Sequence, residues 1–346
     1  MSELTRKKTT KATKKKAASK KTIKATLTPA QQVAALLAKE KPTTKKPKIE
    51  GNVIFDPDQP LATAHTWVQM PHPWQELTGV KGIPFGHVTT IQGKQDSGKT
   101  TIAMHGMVES QNQGFNVVLI DTEHKFNMKR FANMGGDVTN VLQVKAMCLE
   151  EGFDAIDRLI PYYQKVTPGV PVFFLWDSLG MTPTEEEMNG DARKITVASA
   201  AKVIKKNIRR QVARFKQSNN AMVFINHLYD NINAMFGNST KGYGGNGAYF
   251  ASVLVLEVQR IGQWYSQVNK KKKVHGLKAA IKCTKNHLSA VQGNAVQVKI
   301  GSEGIDQGSV APINEDGEVE SFGDGEDIEI PEFGQGAGSS VKGMQL

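Results

Sequence analysis

The stretch GKQDSGKTT, Gly93 to Thr101, places its residues at the spacing GxxxxGK[ST] between an apolar run, HVTTIQ, and a segment able to begin a helix, IAMHGM. Glycines so spaced let backbone N–H groups turn inward around phosphate oxygens without Cβ clashes. Lys99 then reaches the outer phosphates and Thr100 offers a hydroxyl to Mg²⁺. The helix that starts here points its positive end at the same anion. Two carboxylates complete the chemistry. PVFFLWD ends in Asp177, where an acid can face Mg²⁺ beside the loop, although a strand-end acid is otherwise often only a helix cap. NVVLID ends in Asp121 and is followed by Thr122 and Glu123, and Glu123 is placed to orient and deprotonate an attacking water.

Those residues need strands to carry them. From about 85 to 300 the sequence alternates HVTTIQ, a helix, NVVLID, a helix near 149–164, PVFFLWD, a long helix and AMVFIN. Apolar strands separated by helices predict an α/β fold with a mostly parallel sheet covered by helices on both faces. ASVLVLEVQR, GLKAAIKCT and AVQVKI follow without helices between them, which predicts an antiparallel extension. In TPAQQVAALLAKEK, Thr28 caps a short helix with Val33, Leu36 and Leu37 on one stripe. Too short to stand alone, it must pack on its own core or on a neighbouring copy.

Charge divides the 346 residues into three zones. Residues 1–50 carry 15 Lys+Arg against 3 Asp+Glu, and residues 311–346 carry 9 acids against one lysine. The expected organisation is a disordered basic tail at 1–27, a helix and linker at 28–50, a core at 51–310 and an acidic disordered tail at 311–346. Cys148 and Cys283 are too few and too far apart for a disulfide framework or a CxxC metal site. With no apolar run of membrane-spanning length and no secretion signal, a cytoplasmic protein without membrane contact is expected.

GKQDSGKTT, LIDTEH, FFLWDSLGMTP, KQSNNAMVFINH, AMFGNSTKGYGGNGAYFASVLVLEVQRIG and IKCTKNH, taken in this order, resemble the RecA recombinases over most of residues 70–305. The histidine of FINH and the DSLG segment are most similar to the recombinases of tailed phages, the UvsX type. The resemblance implies a RecA-like P-loop ATPase core that uses ATP and Mg²⁺. Its nucleotide site would comprise Gly93, Lys94, Gln95, Asp96, Ser97, Gly98, Lys99, Thr100 and Thr101, with Thr100 and Asp177 at the metal and Glu123 catalytic. His227 would sense the γ-phosphate and pass its presence to the adjoining DNA-binding loop. Lys285 would reach the neighbouring protomer's nucleotide; the family's second lysine there is replaced by His287. Where the bacterial enzyme holds adenine with an acid and a tyrosine, this chain has Asn127 and Arg130, and Arg130, or Phe131 with a small shift, could stack on a purine.

The same resemblance assigns DNA contacts. In the Gly-rich stretch between His227 and Phe250, Met235 and Phe236 would wedge against bases, while Gly244, Gly245 and Asn246 would approach phosphate. Lys202, Lys205 and Arg209 form one charged helix face opposite the stripe Ile204, Ile208, Val212 and Phe215. EEEMNGDARKIT would be a first DNA-binding loop before that helix. Lys270 to Lys273 could hold a second strand, or simply tip a hairpin. The implied activity is an ATP-dependent recombinase that forms helical filaments on single-stranded DNA, pairs it with double-stranded DNA and works with single-strand-binding and mediator proteins. The helix at 28–40 would dock on the next protomer. A ring helicase and an architectural DNA-coating protein remain the alternatives.

Overall fold

The computed structural model describes residues 27–39, 67–190, 199–230, 240–268 and 271–313. The chain opens with α1 (Pro29–Lys39), β1 (Trp67–Gln69), α2 (Trp74–Thr78), β2 (Gly82–Pro84), β3 (Val88–Gly93), α3 (Lys99–Asn112), β4 (Asn116–Asp121), α4 (Met128–Asn133) and β5 (Val141–Val144). It continues with α5 (Leu149–Val166), β6 (Val172–Asp177), α6 (Glu185–Asn189), α7 (Ser199–Ser218), β7 (Ala221–Asp230), β8 (Thr240–Gly242) and α8 (Gly247–Ala251). The long antiparallel strands β9 (Leu254–Val268), β10 (Lys271–Asn286), β11 (Ala295–Gly301) and β12 (Gly304–Ile313) close it.

One sheet runs β12-β11-β10-β9-β3-β7-β6-β4-β5, with β8 attached to β7. From β9 to β5 the pairings are parallel, and from β9 to β12 antiparallel. The period-two pattern of the central strands explains why both faces are covered. Val117, Leu119, Phe173, Leu175, Val223 and Ile225 point to one core with Ile102 and Met107 of α3. Val118, Ile120, Phe174, Trp176, Met222 and Phe224 point to the other, with Phe153 and Ile156 of α5 and Ile204, Ile208 and Phe215 of α7. Buried β3 lies between β7 and β9, so the loop after it emerges at the centre of the strands' C-terminal edge.

Several expectations change. EEEM is not a loop: Thr184 and Glu187 form a reciprocal capping box, and the acids of α6 lie in its first turn, where the helix dipole favours them. GDARKIT falls mostly outside the described residues, at 191–198. The core extends to Ile313, because Ala311, Pro312 and Ile313 pair with Gln297, Val296 and Ala295. Within this chain α1 packs on α5: Val33 is fully buried in the α5 core, and the Thr28 hydroxyl donates to the Thr139 carbonyl at 2.8 Å. Met235, Phe236, Lys270, residues 1–26 and 40–66, and the acidic segment 314–346 lie outside the described residues. Among the described residues, no helix is long and apolar enough to cross a membrane.

Candidate nucleotide cleft and adjoining groove

A cleft of about 810 Å³ opens at the C-terminal ends of β3, β4, β6 and β7, where an open α/β sheet binds ligands. Gln95 to Thr101 line one wall. The two glycines of the loop act differently. Gly98 has φ 101°, a left-handed turn that lets α3 begin with its N–H groups toward the cleft. Gly93 is needed for packing, since a Cβ there would lie 2.1 Å from the Val258 carbonyl oxygen of β9. Gly93 and Lys94 sit behind the lining rather than in it. The Lys94 carbonyl accepts from the Lys99 ammonium at 2.5 Å. Burial brings the Lys99 pKa down to about 8, against the pull of Asp177, Glu123 and Asp96 toward the charged form.

Opposite Lys99, the Thr100 hydroxyl donates to Asp177 Oδ2 at 2.8 Å. Burial, reinforced by Glu123 and Asp121, raises Asp177 to about 6, while the Thr100 hydrogen bond opposes the rise. A buried carboxylate beside a hydroxyl is a hard oxygen donor set that suits Mg²⁺, which keeps most of its waters and takes only one or two protein ligands. Among the described residues, no group of three or more His, Cys, Asp and Glu side chains forms a metal cage.

Glu123 is fixed from two sides. The Ser178 hydroxyl donates to its Oε1, and His227 Nε2 lies 2.9 Å from the same oxygen. An ionised carboxylate only accepts, so His227 Nε2 carries the hydrogen. The His227 hydrogen bond, more than its Ser178 counterpart, holds Glu123 at about 2 despite partial burial. So acidic a carboxylate is suited to orienting a water.

His227 also leads away from the cleft. Its backbone carbonyl accepts from the Tyr243 N–H at 3.0 Å, and Asn226 Nδ2 donates to the Tyr243 carbonyl at 3.2 Å. Tyr243 precedes Gly244, Gly245 and Asn246. Gly244, Asn246, Lys205 and Arg209 line a second hollow of about 620 Å³, floored by Ile208, Val212 and exposed Phe250. The structure brings together Lys205, Arg209, Gly244 and Asn246 of the expected DNA-contact residues; Lys202 is exposed but outside that lining, Gly245 adjoins it, and Met235 and Phe236 lie outside the described residues.

Arg130 also lines the cleft. Its Nη2 donates to the Gly301 carbonyl at 2.6 Å, and a hollow of about 520 Å³ continues past it, sharing Asp96, Asn127, Arg130 and Leu277 with the main cleft. Asn127 caps α4, accepting from the Arg130 N–H. Lys285 and His287 do not line their own chain's cleft. Lys285 donates to the Tyr249 and Phe250 carbonyls at 2.9 and 3.2 Å, and His287 is exposed.

Ser178, Asn226 and Gly180 were missed from sequence as site residues. Ser178 and Asn226 stand next to Asp177 and His227, and Gly180 ends the DSLG segment already singled out, signals that could have flagged all three.

Residues 73–306 match the RecA N-terminal domain. The chain is 32% identical to Protein RecA of Aquifex pyrophilus over 228 residues, 66% of this chain and 63% of that protein. It is 30% identical to Protein RecA of Ureaplasma parvum serovar 3 over 62% of this chain and 61% of the relative. Protein RecA of Mesomycoplasma hyopneumoniae strain J is 26% identical over 69% and 68%. The chain thus aligns with less than two thirds of the Aquifex relative's length. The matched span contains the loop, both strand-end acids, the His227 strand and the antiparallel strands β9 to β11, and by that match the chain belongs to the RecA family.

Proposed function

We propose that this chain is an ATP-dependent DNA recombinase that polymerises on single-stranded DNA and promotes homologous pairing and strand exchange with a duplex. One observation carries the reading: His227, bonded to Glu123 in the cleft, is also bonded through its backbone to Tyr243, at the root of the segment that lines the cationic groove. A γ-phosphate in the cleft competes for the contacts of Glu123 and His227, and any shift there is delivered to the groove by two backbone-linked hydrogen bonds.

Within that scheme Lys99 and the α3 N-terminus hold the phosphates, and Thr100 and Asp177 hold Mg²⁺, which when bound would neutralise charge developing on the phosphates. Glu123 orients the water. Arg130 and the hollow beyond it take the nucleoside. Lys285 and His287, outside their own chain's cleft, act on the neighbour's, and α1 leaves its seat on α5 for the matching seat of the next protomer, giving a head-to-tail filament. The FINH and DSLG segments favour a tailed-phage, UvsX-type member, acting in the host cytoplasm with single-strand-binding and mediator proteins.

Electron microscopy of the protein with single-stranded DNA and a nonhydrolysable ATP analogue, beside Lys99→Ala, tests this. The expected result is helical filaments that need the nucleotide and are lost in the variant. Closed rings, or filaments indifferent to nucleotide and to Lys99, would overturn it.

A further inference from the structure

The carboxylate oxygens of Glu123 have different partners. Oε1 accepts from Ser178 and lies 2.9 Å from His227 Nε2, whereas Oε2 lies 3.4 Å from the Lys125 ammonium. The backbone prepares that second pair. His124, between the two residues, has φ 54°, a left-handed conformation uncommon outside glycine and concentrated at functional sites. The turn is pinned on both sides: the Thr122 N–H donates to the Asp177 carbonyl at 3.0 Å, and the Phe126 N–H donates to Asp121 Oδ2 at 3.4 Å. Lys125 therefore has a fixed root in the cleft wall and a side chain that is 77% exposed.

The other fixed cations of the cleft are engaged elsewhere. Lys99 donates to the Lys94 carbonyl, Arg130 donates to the Gly301 carbonyl, and Lys285 lies outside the lining. Among the described residues, Lys125 has Glu123 as its only hydrogen-bond partner. An ion pair so open to water stabilises little, so the ammonium leaves it at small cost. Oε2 is also the oxygen left for a water, since Oε1 already accepts twice.

We propose that Lys125 is a catalytic cation for ATP hydrolysis, supplied by the chain that holds the nucleotide. As the water takes its place on Glu123 Oε2, the ammonium crosses from that oxygen to the γ-phosphate. The water oxygen bonds to the γ-phosphorus while the bond from phosphorus to the β,γ-bridging oxygen breaks. The electron pair of the broken bond stays on ADP, and the water's proton leaves to solvent by way of the released phosphate. Lys125 transfers no proton; it offsets the negative charge on the oxygens of the transferring group. The inference rests on the ATP-hydrolysing reading above and gives a role to a residue which that reading does not use.

The test uses the full chain with single-stranded DNA. Lys125→Ala is expected to lower kcat for ATP hydrolysis about a hundredfold, the scale for loss of one transition-state donor, with KM little changed. Equilibrium titration gives a readout that does not depend on turnover. The variant should bind ADP as the wild type does, and ADP with aluminium fluoride, a mimic of the transferring phosphoryl group, about a hundredfold more weakly. Lys125→Arg keeps the charge and should retain most of both properties, which separates loss of charge from misfolding. An alanine variant with undiminished kcat and mimic affinity overturns the proposal. So does one that weakens ADP and the mimic equally, as a general phosphate contact would, or one that hydrolyses faster, as release of a brake on Glu123 would. Wild-type protein that hydrolyses no ATP overturns the recombinase reading as well, and is thereby told apart from failure of the Lys125 assignment alone.

Discussion

Glu123 shows how one side chain acquires a role from its neighbours. Its carboxylate accepts from Ser178 and His227, so it is ionised, fixed in rotamer and aimed into the cleft. Glu123→Gln keeps the shape and removes the charge. It is expected to lower the ATP hydrolysis rate by about 10²- to 10⁴-fold, the range for loss of a positioned general base or water-orienting group, with nucleotide affinity retained. A steady-state assay beside equilibrium binding of a fluorescent analogue checks both halves; a Gln variant of undiminished rate removes Glu123 from the chemistry. Lys99, Thr100, Asp177 and Glu123 were legible in the sequence because a loop spacing and a strand-end position identify them locally. Ser178, Asn226 and Gly180 were not, because their roles depend on β6 lying beside β7, a long-range pairing that spacing does not encode.

Between elements, two contacts decide how helices are held. The α3 side chain His105 accepts the Ile305 N–H of β12 through Nε2 at 2.9 Å, which requires a neutral ring there. Burial, helped by Arg130, lowers its pKa to about 4 from 6.5. The unfolded chain takes up a proton near pH 6.5 that the folded chain refuses until about 4. The associated stability is therefore present above pH 6.5 and is lost as pH falls toward 4, by about 3 kcal/mol. Urea unfolding of the wild type and of His105→Gln at a series of pH values checks the sign: the variant's profile should be the flatter through that window. On the other face, Asp157 of α5 accepts from Arg210 at 2.8 Å, from Gln211 at 2.5 Å and from Arg214, all on α7. Asp157→Ala leaves this cationic cluster without its carboxylate and should cost about 3 kcal/mol or more in unfolding free energy, read as a lowered urea midpoint. A loss below about 1 kcal/mol would mean the arginines are solvated rather than paired. Both helices and the α7 stripe were visible as periodic patterns. The partners of Asp157 were not, since helical periodicity gives a buried face but not the residue across from it. The start of EEEMNGDARKIT misled in a different way, since the resemblance made it a loop where Thr184 and Glu187 form the capping box of a short helix.

Over the whole molecule, charge is segregated along the chain rather than mixed. Residues 1–27 carry ten Lys+Arg against one acid, and residues 314–346 carry nine acids against one lysine. These end segments have opposite expected effects on a polyanion: the first releases DNA counterions, whereas the second competes with DNA for cationic surface such as Lys205 and Arg209. Deleting 1–27 should weaken duplex binding and flatten its salt dependence, by about 0.9 in the slope of log K against log salt for each phosphate no longer neutralised. Deleting the acidic end should do the reverse, strengthening binding at low salt. That second cut belongs after Ile313, because a cut at 310 removes the end of β12 and its pairing with β11, and would mix loss of sheet with loss of charge. Affinity titrations of both truncations across a salt series separate the cases: parallel lines displaced from the wild type would mean that the tails act through the fold, and changed slopes that they act through charge. DNA-independent ATP hydrolysis should match the full chain in both truncations, since the cuts keep every described residue that lines the cleft.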